Sequence, residues 1–318
     1  MKEVLRTSDV VRLSWLRALL AESRIETIVL DSHTSVLEGS ANAIPRRLMV
    51  IDEDFDHAIR VLRESGELGT PATTDTRDAL LNGRLRFRQP KSGYRAAIDP
   101  ILLAAAVPPA ATVLDVGCGS GAATVCYAYR VRDAQVAGLE LRADWADLAE
   151  ENAHANRLGD RVTVVRGDLQ QPPRALTPGT FDQVMANPPY LPSDRADMRN
   201  PPDDADATVE GDARLSDWID FCLAMAKPDG GITLIHRADR LDEILSHFLG
   251  KVGGIVVFPL WPRRSEADAA PDARRVIVAA GKGTSAPMRL AAGMVLHDAE
   301  GYTEEAEAVI RDGGALSL

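Results

Sequence analysis

Short apolar runs recur at intervals along the last two thirds of the chain. Val113–Val116, Gln135–Leu139, Val162–Val165, Gln183–Ala186, Ile232–His236, Ile255–Pro259 and Arg275–Ala279 are each only a few residues long and mostly apolar. Runs without a clear inside/outside alternation are expected to be strands buried on both faces. Most are separated by helical stretches, notably Trp145–Ala155, Asp217–Ala226 and Leu241–Leu249. Alternating strands and helices predict a largely parallel sheet covered on both faces, with right-handed crossovers. Ile255–Pro259 and Arg275–Ala279 have no helix between them. They are therefore expected to pair antiparallel at one edge of an α/β fold.

The first 67 residues carry a different pattern. Strand Glu3–Arg6, helix Val10–Glu22, strands Glu26–Leu30 and Arg47–Ile51 and helix Asp54–Glu64 give a βαββα order, which predicts a small ferredoxin-like domain. Asp52 or Glu53 suits the start of the second helix, where an acidic side chain complements unpaired N–H groups. From Val29-Leu30-Asp31 through Ser35-Val36-Leu37-Glu38-Gly39 to Arg46-Arg47-Leu48-Met49-Val50 this region resembles a small family of prokaryotic signal-transducing proteins. That resemblance implies regulation or contact with a protein partner through residues 1–67. Residues 68–84, with Gly69, Pro71 and several threonines, are expected to be a linker, leaving 85–318 as the second domain. The Asp-, Pro- and Ala-rich stretch Leu191–Arg214 is long for a connection and is expected to be an active-site flap or a disordered insertion. A tail follows residue 281, with a helix expected over Tyr302–Ile310.

Length and composition agree with two domains. The chain has 318 residues, 45% apolar and 26% charged, which is ordinary for a soluble globular protein. Cys118, Cys126 and Cys222 form no C-x-x-C pair, so neither a disulfide framework nor a bound metal is expected, and a reducing compartment fits. With no apolar run of spanning length, no membrane association is expected and the cytoplasm is the simplest location. A net charge of -11 disfavours indiscriminate nucleic-acid binding. Locally, Arg84, Arg86, Arg88, Lys91 and Arg95 interleave with Phe87 and Tyr94. Such a stretch is either the footprint of an RNA substrate or a solvated linker.

Two motifs carry the chemistry. In Asp115-Val116-Gly117-Cys118-Gly119-Ser120-Gly121 the glycines sit where the first strand of the large domain turns into a helix. Missing Cβ atoms let the backbone turn tightly and approach a ligand, and the helix N-terminus offers unpaired N–H groups. Gly117-x-Gly119-x-x-Ala122 also satisfies a loose dinucleotide fingerprint, which leaves a nicotinamide oxidoreductase open at this point. Glu140 ends the second strand, where a carboxylate meets ribose hydroxyls. Asp168, after the third strand, either accepts from an adenine amino group or closes an Asx-turn. Asp115 either orders the glycine loop or meets an ammonium. Cys118, Leu141 and Leu169 are the neighbouring cofactor-contact candidates.

Asn187-Pro188-Pro189-Tyr190 follows the fourth strand. An exocyclic amino group on adenine, or a carboxamide nitrogen, is a poor nucleophile because its lone pair is delocalised. The Asn187 side-chain oxygen and the Pro188 carbonyl could each accept one N–H and so localise that lone pair. Pro188 and Pro189 make the segment rigid, and Tyr190 could stack on a planar acceptor. Together the motifs point to S-adenosylmethionine as cofactor, with S-adenosylhomocysteine as product. Adenine as acceptor would have to be flipped or single-stranded.

From Leu85 to about Gly313 the sequence resembles the bacterial tRNA(Val) anticodon-loop adenine-N6 methyltransferases. The resemblance is carried by Phe87-Arg88-Gln89-Pro90-Lys91-Ser92-Gly93-Tyr94-Arg95, Asp99-Pro100-Ile101-Leu102-Leu103-Ala104, the glycine loop and Met185-Ala186-Asn187-Pro188-Pro189-Tyr190. It implies a class I methyltransferase fold, a Rossmann-like sheet with an antiparallel last strand, and a tRNA substrate. It also implies that Tyr94, Arg95 and Asp99 close over the methionine end of the cofactor and the acceptor, and that Asn187 and Tyr190 hold the base. The N-terminal domain and the 191–214 insertion depart from the simple family pattern. Glutamine methyltransferases of peptide-release factors also use Asn-Pro-Pro-Tyr, but resemble a five-helix N-terminal domain followed by the catalytic one. A non-catalytic protein that binds the cofactor is the remaining alternative.

Overall fold

The computed structural model describes residues 2–7, 75–90, 96–191, 210–263 and 272–318 continuously, and parts of 13–30 and 46–62. It divides into two compact units, Met1–Thr74 and Asp75–Leu318. In the first unit β1 (Lys2–Thr7), β2 (Ile28–Leu30) and β3 (Arg46–Val50) form an antiparallel sheet in the order β1-β3-β2. Leu13, Leu16 and Leu20 from one helical stretch and Ala58 and Leu62 from another pack on Val4, Leu48 and Val50.

The second unit begins with a correction. Residues 75–84, expected to be linker, form β4 (Asp75–Leu80) and the turn into β5 (Leu85–Pro90). Leu81, Asn82 and Gly83 all have positive φ, and Asn-Gly is a strong signal for such a hairpin turn. On β5 the pleat buries Leu85, Phe87 and Gln89 and leaves Arg86 exposed. Phe87 is therefore core, not an aromatic surface for RNA.

The central sheet contains β6 (Thr112–Val116), β7 (Gln135–Glu140), β8 (Val162–Arg166), β9 (Phe181–Ala186), β10 (Ala226–Arg237), β11 (Val252–Arg263) and β12 (Arg275–Lys282). Its order is β11-β12-β10-β9-β6-β7-β8. The strands from β10 to β8 are parallel, and β12 is antiparallel to both its neighbours. The antiparallel pair is as expected, but the edge continues. β13 (Arg289–Leu290) and β14 (Met294–His297) add to β11.

Helices cover both faces. α1 (Asp99–Ala106), α2 (Ala122–Arg130) and α3 (Ala143–Ala155) bury Leu102, Leu103, Val125, Tyr127 and Ala153 on one side, joined by Val309 and Ile310 of α6 (Glu304–Ile310). α4 (Leu215–Met225) and α5 (Leu241–Phe248) bury Leu215, Ile219, Cys222, Ile244 and Phe248 on the other. This two-sided cover is why the parallel strands read as unbroken apolar runs.

The β4–β5 hairpin is fastened to α3 by two asparagines one helical turn apart. Asn152 accepts from Arg88 N–H (2.7 Å) and donates to Arg88 C=O (2.8 Å), and Asn156 does the same for Arg86 at 2.9 and 2.7 Å. Asn152 Nδ2 also reaches Ser120 C=O at 2.9 Å. One buried amide thus ties the hairpin to the glycine loop.

Candidate functional site

Val116 on β6 and Ala186 on β9 are register partners in adjacent parallel strands. The glycine loop and Asn187-Pro188-Pro189-Tyr190 therefore leave the same edge of the sheet side by side. This is the carboxyl edge, where ligands bind in open α/β sheets.

Gly117, Gly119 and Gly121 have φ of +67°, +57° and +85°, a region side chains rarely adopt. Neighbouring side chains also crowd the positions a Cβ would take. A Cβ on Gly117 would overlap the Trp218 indole, one on Gly119 would sit 3.1 Å from Trp145, and one on Gly121 would sit 3.0 Å from Ala149 Cβ. Asp115 is buried and accepts from Thr124 Oγ1 at 2.6 Å, which fixes the start of α2. Of the two roles open to Asp115, the ordering of the loop is the one visible in the geometry. Burial pushes its carboxyl up to about 7 against the Thr124 hydrogen bonds.

Glu140 accepts from Gly119 N–H at 2.8 Å and from Arg142 N–H at 2.9 Å. It therefore braces the glycine loop. Burial raises its pKa, and the backbone donors oppose that rise. A carboxylate has about four acceptor positions, so these two bonds leave capacity for ribose hydroxyls. Leu141 next to it is 63% exposed, an apolar side chain beside a polar loop, and Leu169 is partly buried against α4 and the sheet. Asp168 closes an Asx-turn through Gln170 N–H at 2.8 Å using Oδ1. Cys118 is buried, with its N–H on Leu139 C=O at 2.9 Å.

At the acceptor motif the Tyr190 hydroxyl lies 2.6 Å from Asp99 Oδ2 and 2.7 Å from Asn187 Oδ1. Arg275 Nε donates to the same Asp99 oxygen at 3.0 Å, and its guanidinium sits 4.3 Å from the Tyr190 ring centre. His236 packs edge-on to Tyr190 at 5.4 Å and lies 3.2 Å from the Pro189 carbonyl through Nε2. A carbonyl only accepts, so Nε2 carries the proton. Asp99 thus reaches the acceptor motif. One face of Tyr190 is covered by Arg275.

Among the described members of the basic stretch, two arginines are held in ion pairs. Arg84 is paired with Asp312 at 3.0 Å and Arg88 with Glu151, while Arg86 is exposed. Lys91, Tyr94, Arg95 and most of the 191–214 segment (192–209) lie outside the described residues. Where that segment meets the fold, Glu210 N–H donates to Leu191 C=O at 2.8 Å, and the buried Glu210 carboxylate meets Arg240 at 2.5 Å. Among the described residues no cluster of His, Cys, Asp and Glu could hold a metal ion, and no helix is long and apolar enough to cross a membrane. Sequence reasoning missed Arg275, His236, Trp218, Asn152 and the Glu210–Arg240 pair. For these the local pattern held no signal, except that a buried-strand run ending in His236 was one polar residue too many.

Two family models match this chain. Residues 1–66 match a family described as "putative prokaryotic signal transducing protein", and residues 113–199 match a methyltransferase domain. A release factor glutamine methyltransferase from Geobacter sulfurreducens is 43% identical over 86 residues, covering 27% of this chain and 28% of the relative. A tRNA1(Val) (adenine(37)-N6)-methyltransferase from Aeromonas hydrophila is 32% identical over 158 residues, covering 49% of this chain and 64% of the relative. The chain thus spans under a third of the first relative's length and just under two thirds of the second's. The crystal structure of a predicted O-methyltransferase from Agrobacterium tumefaciens superposes with a TM-score of 0.57 at 24% identity, covering 69% of this chain and 99% of that one. The large unit has the class I methyltransferase fold: a mostly parallel sheet with an antiparallel last strand.

Proposed function

We propose that this chain transfers a methyl group from S-adenosylmethionine to the exocyclic N6 amine of an adenine in tRNA. The observation that carries this reading is the side-by-side exit of the glycine loop and Asn187-Pro188-Pro189-Tyr190 from register-paired strands. A donor held at one motif and an amine held at the other would then be neighbours.

The residues fit the cofactor. Three glycines with positive φ, Glu140 at the end of β7 and the exposed Leu141 offer a tightly turned loop, acceptors for ribose hydroxyls and an apolar surface for a purine. Asp168, with Leu169 beside it, stands at the end of β8, where the adenine amino group would lie. When bound, the cofactor supplies an electrophilic methyl on sulfonium sulfur. Asn187 Oδ1 and the Pro188 carbonyl accept the two amine protons and turn the nitrogen lone pair toward that methyl. The Pro189 carbonyl is engaged by His236, which holds the rigid segment in place. Transfer would form a C–N bond as the C–S bond breaks, and the nitrogen would then release a proton to water. Positioning supplies most of the rate, so no general base is required. Arg86, exposed on the hairpin, remains the RNA-contact candidate among the described members of the basic stretch.

The glutamine amide of a release factor offers the same planar NH2. Adenine is favoured because the tRNA-modifying relatives align over twice the share of their length, 64% against 28%. The N-terminal unit also contains an antiparallel sheet where five helices would be expected for the rival. The test is to incubate the full chain with S-adenosylmethionine and either unmodified tRNA or purified release factor, then read N6-methyladenosine and methylglutamine by mass spectrometry. The Asn187→Ala variant should lose transfer yet bind S-adenosylhomocysteine within a few fold of wild type. Methylglutamine without N6-methyladenosine would overturn the substrate, and unchanged turnover by the variant would remove Asn187 from the mechanism.

A further inference from the structure

Trp218 stands in the first turn of α4 and closes the floor of the glycine loop. Its six-membered ring lies over Gly117, and a Cβ there would sit 2.6 Å from Cζ3. The α4 N-terminus is held by reciprocal bonds between Arg214 and Asp217, and Leu215, Ile219 and Cys222 are buried. Gln170 Nε2 links this turn to the end of β8 through Asp217 Oδ2 and Asp212 C=O, both at 3.3 Å. The turn that carries Trp218 is thus tied to the loop that follows β8, and its ring meets the loop that follows β6.

Its indole Nε1–H is buried and has no hydrogen-bond partner among the described residues. An unpaired buried donor is costly, and in folded proteins most such groups meet an acceptor when the site is complete. The neighbouring side chains at this sheet edge, Asp115, Glu140 and Asp168, are themselves acceptors. They suit an ammonium, ribose hydroxyls and an amino group, and would repel a carboxylate. The anionic end of an amino acid placed here needs donors, and the indole N–H is an unused neutral one.

We propose that Trp218 forms a wall of the donor pocket and that its indole N–H hydrogen-bonds the carboxylate of the cofactor's amino-acid end. This rests on the S-adenosylmethionine reading above. The experiment compares wild type and Trp218→Phe by isothermal titration with S-adenosylhomocysteine and with 5′-methylthioadenosine, which keeps the adenosine and thioether but lacks the amino-acid end. Phenylalanine keeps an aromatic ring and removes the donor. The expected result is about tenfold weaker binding of S-adenosylhomocysteine, with methylthioadenosine within twofold of wild type. Unchanged affinity for S-adenosylhomocysteine, or equal loss for both compounds, would overturn the assignment. A wild-type protein that binds neither compound would overturn the cofactor reading itself, before any variant is compared. Independently of how the variant folds, the Trp218 indole N–H resonance of 15N-labelled wild type should move downfield when S-adenosylhomocysteine is added. A resonance that stays in place would also overturn the proposal.

Discussion

His236 should make the acceptor motif acid-sensitive. Its ring is fully buried on β10, and burial lowers its pKa from 6.5 to about 4, helped by the charges of Arg240 and Arg275 and opposed by the bond to Pro189. Between these two values the unfolded chain holds a proton that the native protein refuses. Stability therefore rises with pH across that window and falls as pH drops through it. A gap of that width corresponds to about 3 kcal/mol by pH 4, and about 2 kcal/mol of it is lost between pH 7.5 and pH 5. Asp115 acts in the opposite sense. Its folded pKa of about 7 lies above the ordinary 3.8, so the native state binds more protons in that range and gains stability as pH falls. The wild-type curve alone would hide both effects. The informative comparison is with His236→Gln, which does not titrate and can still donate to the Pro189 carbonyl. Urea unfolding at pH 7.5 and pH 5 should show wild type losing about 2 kcal/mol more than the variant. Parallel curves would show that His236 is not held neutral by burial, and the reasoning would fail.

Three further outcomes follow from the same contacts. Glu140→Ala removes the acceptor for Gly119 and Arg142 N–H and should weaken S-adenosylhomocysteine binding at least about tenfold by calorimetry; normal affinity would contradict its place in the site. Asn152→Ala leaves Arg88 N–H and C=O and Ser120 C=O without their side-chain partner and should cost about 3 kcal/mol in urea unfolding; a loss below about 1 kcal/mol would mean water replaces the amide. Glu210→Ala strips one carboxylate from the buried Arg240, which keeps Glu243 at 2.6 Å; a loss of about 2 kcal/mol is expected, and unchanged thermal unfolding would show the pair to be neutral.

Much of the large unit could be read from local pattern. Val113–Val116 and Ile232–His236 announce buried strands because a parallel sheet covered on both faces needs apolar side chains in both directions. Three glycines at one strand end and a rigid Asn-Pro-Pro-Tyr at another mark turns that bring backbone close to a ligand. β4 is not announced by local pattern because Asp75-Thr76-Arg77-Asp78 is as polar as a linker, and only its pairing with β5 makes it a strand.

Local order alone thus determined the order of the central strands, the antiparallel pair and the two motifs, since each depends on residues a few positions apart. Which charges are free could be settled only by folding. Arg84 finds Asp312, Arg275 finds Asp99 from 176 positions away, and the Tyr190 hydroxyl reaches back to Asp99 across 91. The indole that walls the glycine loop comes from a helix nearly a hundred residues downstream. Such pairs form where crossover connections bring distant strand ends to one edge, and no sequence period encodes them.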